Sequence, residues 1–120
     1  MGIREFVGKL LQEGLDIDSE DSQKQTPLHY ASMNGNSEMA EFLIQKGANV
    51  NYKSDHDWTP LHAASWHGHV EVTKILLQNK AKVNAVASSD LCTPLQMASQ
   101  NGHKDVVKLL LEKRSQCELS

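Results

Sequence analysis

Aromatic residues are scarce in this chain of 120 residues: Phe, Trp and Tyr together make up 5%. A core without large rings is built from Leu, Val, Ile and Ala, which suits thin repeated layers. Cysteine is nearly missing. Cys92 and Cys117 are the two present. They are too few for a disulfide framework and show no metal-type pair spacing, so a reducing setting is expected, cytoplasmic with the nucleus also open. No apolar run is long enough to span a bilayer and no secretory leader is read at the start, so no membrane partner is expected. Met1-Gly2 would suit myristoylation, but Phe6 stands where Ser or Thr is required, and that reading is rejected. Excess positive charge is lacking as well. The formal net charge is −3, so no broad basic field is available to hold a phosphate backbone, and nucleic acid is not an expected partner. There is no phosphate-cradling glycine loop, no carboxylate pair and no nucleophile beside a base. No catalytic activity, metal or cofactor is expected.

What the chain does have is a phrase said three times: Thr26-Pro27-Leu28-His29, Thr59-Pro60-Leu61-His62 and Thr93-Pro94-Leu95-Gln96. The copies are 33 and then 34 residues apart, and a fixed period of this length signals stacked like units. Other columns fall in the same register: Ala31, Ala64 and Ala98, then Gly35, Gly68 and Gly102. Leu10, Leu43, Leu76 and Leu110 form a column through four layers, as do Leu11, Ile44, Leu77 and Leu111. The chain therefore reads as one domain over residues 1–120. A leading half-unit (1–20) precedes three full units at about 21–53, 54–87 and 88–120. Charge is polarised along this stack. Glu13, Asp16, Asp18, Glu20 and Asp21 crowd the first layer, and Lys104, Lys108, Lys113 and Arg114 lie in the last.

Each unit has a local physical reading. Thr before Pro starts a helix, the hydroxyl capping free amides and Pro fitting the first helical position. The Ala column keeps that helix slim and the Gly column ends it. Asn36 or Ser37, His69 and His103 open a second helix, whose apolar residues recur at helical spacing, as in Val72, Ile75 and Leu76. Gly47-Ala48-Asn49-Val50-Asn51 closes it and leads into an extended turn. Its Lys and Glu residues read as a solvated outer face. Residues 3–13 supply one leading second helix, and 115–120 read as a frayed tail. Whether the chain is a complete small protein or a module of a larger one is left open.

The pattern resembles the ankyrin repeat, centred on Thr-Pro-Leu-His with a downstream Gly-Ala-x-Val-Asn, over about residues 3–113. The resemblance implies an all-α solenoid of helix-turn-helix units with β-hairpin fingers. It also implies a concave face of fingers and first helices that binds proteins. The chain departs from the pattern in places. Lys24, Asp57 and Leu91 stand where the family has Gly near the finger tip. Positive φ would strain them, so other turns are expected there. Lys80 replaces the Gly that ends a second helix, and Asn79 is expected to take the left-handed role instead. The last finger holds one extra residue and Gln96 replaces His, so the joint between the final two layers is expected to be the weakest.

The histidines are read first as structure. His29 and His62 belong to the repeat phrase and would hydrogen-bond the turn and the neighbouring Thr, as the resemblance implies. His67-Gly68-His69 could suggest zinc, but two histidines flanking a Gly turn need not face the same way, and no further ligands complete a site. By register with the family, the partner-facing positions are Gln23, Gln25, Met33 and Asn34 in the first unit. They are Asp55, His56, Trp58, Trp66 and His67 in the second, and Asp90, Cys92, Gln100 and Asn101 in the third. Both tryptophans fall in this set and in one layer. Indoles are favoured interface anchors, though either could instead shield the core under an adjacent finger. Asn51 and Asn84 would fasten their turns with side-chain amides. The resemblance adds β-hydroxylation of these two asparagines by an oxygen-sensing dioxygenase, which a mass gain of one oxygen would report.

The leading expectation is thus a monomeric protein-binding adaptor or inhibitor whose partner carries a basic patch around an apolar groove. The alternative is a scaffolding or capping segment of a larger protein, which reversible self-association would favour. An enzyme built on the histidines ranks last.

Overall fold

The computed structural model describes residues 16–88 and 91–119, with side chains to residue 114. The leading helix expected over residues 3–13, Leu10 and Leu11 of the apolar columns, and Asp90 lie outside these. Six α-helices follow in pairs: α1 (Pro27–Asn34) and α2 (Ser37–Gln45), α3 (Pro60–His67) and α4 (Val70–Gln78), α5 (Pro94–Gln100) and α6 (Lys104–Leu119). Within each pair the helices touch, α1 packs on α3 and α3 on α5, while α2 packs on α4 and α4 on α6. The molecule is a two-row stack of helix pairs.

The starts of α1, α3 and α5 follow from the repeated phrase. The side chains of His29, His62 and Gln96 each accept the backbone N–H of the Thr three residues earlier, at 3.0, 3.1 and 2.9 Å. The Thr59 and Thr93 hydroxyls accept the amides of His62 and Gln96 in return, forming reciprocal caps. At the other end, Gly35 and Gly68 sit at φ 69° and 74°. A side chain would be strained there, and a Cβ on Gly35 or Gly68 would collide with the ring of His69 or His103 from the next unit. These glycines serve both the turn and the close approach of layers. Asn36 caps α2 by accepting the Met39 amide at 3.1 Å. His69 holds the same place before α4 but uses its ring between layers instead.

The apolar columns become the core. Leu28, Leu61, Leu43, Leu76 and Leu110 are completely buried, as are Ala64 and Ala98. Full burial of each Leu contributes roughly 1.5–3 kcal/mol. The fourth column loses its cover at the end: Leu77 is buried and Ile44 partly buried, but Leu111 is 46% exposed. Residues 115–119 continue α6 in place of the expected frayed tail. No Gly or Pro follows Leu111 to stop that helix, whereas Gly47 ends α2.

The expected β-hairpin fingers are not seen, since no described residue is in a β-strand. The connections are closed loops, each shut by a backbone bond: Asp21 to Gln25, Ser54 to Trp58 and Ala87 to Cys92 (3.1, 2.8 and 2.9 Å). Neighbouring loops are joined by further bonds, Asp55 N–H to Gln23 C=O at 3.0 Å and Ser88 N–H to His56 C=O at 2.7 Å. These are too few to make a strand ladder. The loops also overturn the expectation of other turns at the non-glycine tips. Lys24, Asp57 and Leu91 all take positive φ (60°, 59° and 57°), and His56 does too (68°). Lys80, not Asn79, ends α4 in the left-handed region: Lys80 has φ 71° and Asn79 has φ −104°. The stack determines the direction in which each loop leaves, and the residue present must comply.

The layers are stitched at one repeat's spacing. His29 Nε2 meets the Trp58 carbonyl at 2.9 Å, and His62 Nε2 meets that of Cys92 at 3.1 Å. Between the second-helix ends, the Asp18 carboxylate accepts the Asn49 amide at 3.1 Å. One unit on, Asn51 accepts the Lys82 amide at 2.8 Å and donates to the Lys80 carbonyl at 3.1 Å. The Gln96 side chain is engaged within its own unit, at Thr93. Asn84 is exposed and makes no bridge like that of Asn51 among the described residues.

Two outcomes follow from this stitching. Amide hydrogen exchange should be faster over residues 80–93, with the longer loop, than over 47–59, which Asn51 ties down; equal protection would contradict this. Lys80→Gly should raise stability in thermal or urea denaturation by about 0.5–1 kcal/mol, since relief of left-handed strain exceeds the added freedom of the unfolded chain. A loss of stability would mean that Lys80 is not strained.

Candidate functional site

A cleft of about 300 Å³ opens between the first two loops, α1 and the first turn of α3. Gln23, Gln25, His29, Met33, Ser54, Asp55, His56, Trp58 and Ala63 line it. Six of these are positions read from the sequence as partner-facing: Gln23, Gln25, Met33, Asp55, His56 and Trp58. The remaining lining was not foreseen. His29 and Ala63 are buried and Ser54 nearly so. A signal for Ala63 does lie in the register. Tyr30 and Met97 occupy the same column, so the second unit has its smallest residue where the cleft needs room.

Trp58 is half-buried on the cleft wall and Trp66 is 39% exposed. Their ring centroids are 6.1 Å apart with planes at 56°. Trp58 also lies 6.0 Å from the His62 ring. The tryptophans therefore form one aromatic patch, half supported by a buried imidazole and half offered to solvent. Gln25 donates to the Gln23 side-chain oxygen at 3.0 Å, which ties the first loop's two amides together.

Other sequence-read positions lie along the helix ends beyond the cleft. Asn34, Trp66 and His67 are exposed at the ends of α1 and α3. Gln100 and Asn101 are exposed at the end of α5. The Asn101 amide donates to the Trp66 carbonyl at 2.9 Å, so this side chain works between layers. Cys92 is half-buried and takes part in the loop closure, and its carbonyl meets His62. Asn51 is half-buried with its amide engaged at both ends.

Four of the six histidines hold the fold together. In both His29 and His62 a backbone N–H from Thr points at Nδ1, so Nδ1 is the unprotonated acceptor and Nε2 carries the proton given to the next loop's carbonyl. Neither ring has a nitrogen left for a metal or for proton transfer. His69 and His103 reach back through Nε2 to the Met33 and Trp66 carbonyls at 2.8 and 2.9 Å. The histidines flanking Gly68 are neighbours in space. His67 and His69 stack with centroids 5.9 Å apart and planes at 22°. Burial, with lesser contributions from His69 and His103, holds His67 below the ordinary imidazole value. Among the described residues no three His, Cys, Asp or Glu side chains gather as a metal site.

The acidic first layer is anchored by tyrosines. Tyr30 donates to Asp21, which is the main cause of the lowered carboxyl value of Asp21. Tyr52 donates to Glu20 at 2.5 Å, and that bond pushes the phenol up to about 12.

A helix-pair stack whose open surface is a row of loops and helix ends is a repeat solenoid, the kind of scaffold that works through its surface. The family models agree with that architecture. Ankyrin repeats (3 copies) match residues 2–87, and ankyrin repeats (many copies) match residues 67–111. The chain belongs to the ankyrin repeat family, whose members are generally protein–protein interaction modules. No curated protein matches it. Among the described residues no helix is long and apolar enough to cross a membrane.

The His29 geometry makes stability depend on pH. Burial first of all lowers its value below the ordinary 6.5, against the pull of the Trp58 and Tyr52 carbonyls. At higher pH the ring is neutral folded or unfolded. As pH falls through about 6.5 the unfolded chain takes a proton that folded His29 resists, so stability declines until the folded value is reached. His29→Gln, which imitates Gln96, should flatten the decline in urea stability between about pH 7 and about pH 5. An unchanged slope would assign the effect to another group.

Proposed function

We propose that this chain is a protein-binding adaptor or inhibitor that engages its partner through the loop tips and the ends of the first helices. The observation that carries the reading is the Trp58–Trp66 pair, 6.1 Å apart, of which Trp58 lines the 300 Å³ cleft. A large apolar surface left half in solvent beside polar loop tips is the usual chemistry of an interface anchor. The bonds that join Asp55 to Gln23 and Ser88 to His56 hold the loops in place before binding. Little ordering entropy is then lost on association. The carboxylates of the first layer favour a partner with a basic patch and speed its approach. Modification of Asn51 or Asn84 is a separate proposal that rests on the family resemblance.

Partner capture with three forms of the chain tests the reading: the parent, a Trp58→Ala/Trp66→Ala form, and a Lys74→Ala form altered on the outer face. Proteins held by the parent and the Lys74 form but lost from the double alanine form are the expected partners. Against such a partner, Trp66→Ala alone should weaken binding by roughly 2 kcal/mol or more with helicity unchanged. Equal capture by all three forms would refute the assigned face.

A further inference from the structure

The two loops that border the cleft are acidic, and Asp55 is the carboxylate among the residues that line it. Residues 16–25 and 51–58 carry six carboxylates (Asp16, Asp18, Glu20, Asp21, Asp55 and Asp57) against Lys24 and Lys53, a net of −4. The whole chain carries −3, so everything outside these two loops is slightly basic. The cleft opens between the two loops, and neither lysine is part of its lining. Its walls combine three kinds of surface: the indole of Trp58, the polar ends of Asp55, Gln23 and Gln25, and the apolar Met33 and Ala63.

We propose that the cleft receives one arginine side chain of the partner protein. The inference rests on the binding face argued above and specifies what enters it. A cation is favoured over a neutral or acidic group by the field of the loops and by the π-face of Trp58. Arginine is favoured over lysine because its guanidinium is a plane that stacks on an indole. Its several N–H groups also suit the oxygens of Asp55, Gln23 and Gln25, which line the same cleft. Met33 and Ala63 offer apolar cover for the methylene stem. The second unit makes the room: Tyr30 and Met97 fill the column in which Ala63 stands. Met97 is completely buried in its own layer, so the helix start tolerates a larger side chain there, and the small one is what leaves the cleft open.

The test uses the full chain, labelled with nitrogen-15, and three blocked peptides: acetyl-glycyl-arginyl-glycine amide and its lysine and citrulline counterparts. Citrulline keeps the shape of arginine and removes its charge. The arginine peptide should shift the Trp58 indole and the Gln25 and Asp55 amides in a saturable way. The lysine peptide should bind at least about fivefold more weakly, and citrulline should not bind measurably. Asp55→Asn and Ala63→Met should each weaken arginine binding by about fivefold or more while the spectrum stays dispersed. Citrulline binding as tightly as arginine would overturn the proposal. So would unsaturable shifts spread over all the acidic residues, or full binding by a folded Ala63→Met form. If arginine fails to bind while the double tryptophan form still loses its partners, this inference falls and the binding face stands. If arginine binds the cleft but all forms capture the same proteins, the face is wrong.

Discussion

Each layer of this molecule is held to the next by an imidazole whose two nitrogens have opposite duties. In His29 and His62, Nδ1 accepts an amide of the unit's own helix start and Nε2–H donates to the carbonyl that closes the next loop. One buried ring thus connects a local cap to a contact about 30 residues away. The neutral form is the only one that can do both, because a proton on Nδ1 would face an N–H. The second-helix side is stitched separately, by Asp18 and Asn51 holding the backbone of the following unit. A third row comes from His69 and His103, whose rings fit only because the first helix of the preceding unit ends in glycine.

These constraints bear directly on what the surface can do. The imidazoles of His29 and His62, committed to cross-layer bonds at both nitrogens, hold the scaffold and are not available as bases or ligands. The loops, by contrast, are shaped by the stack behind them. Four non-glycine residues in the loops, Lys24, His56, Asp57 and Leu91, are held in left-handed backbone, and Leu91 is also 73% exposed. Such conformations persist only where the surroundings dictate them. The first two loops, each closed by a backbone bond, frame a cleft rather than a sheet-like array of fingers.

Much of the fold was legible from the chain. The Thr-Pro-Leu-His phrase marks the helix starts, and Leu43, Leu76 and Leu110 line up in the core as their spacing requires. Trp58, Asp55, Gln23 and Gln25 were legible as members of one surface through the register of the repeat. Ala63 was not singled out, because an alanine in a helix reads as packing until its column is compared with Tyr30 and Met97. Lys80 was misjudged for a related reason. Local propensity favours Asn79 for the left-handed turn, yet the backbone must turn at Lys80, one residue later, to meet Asn51 of the preceding unit.

The period of the chain, taken alone, determined that helix pairs would stack, where each helix begins, and which leucines would be buried. Those features depend on bonds and contacts within one unit, which residue type and spacing encode directly. Tertiary structure alone decided the form of the loops, the left-handed residues, the stacking of His67 on His69, and the cleft between the first two loops. Apart from the His67–His69 stack, which forms across the turn at Gly68 within one unit, these arise between units, where the position of one backbone is set by its neighbour and the side chain present must adapt to it.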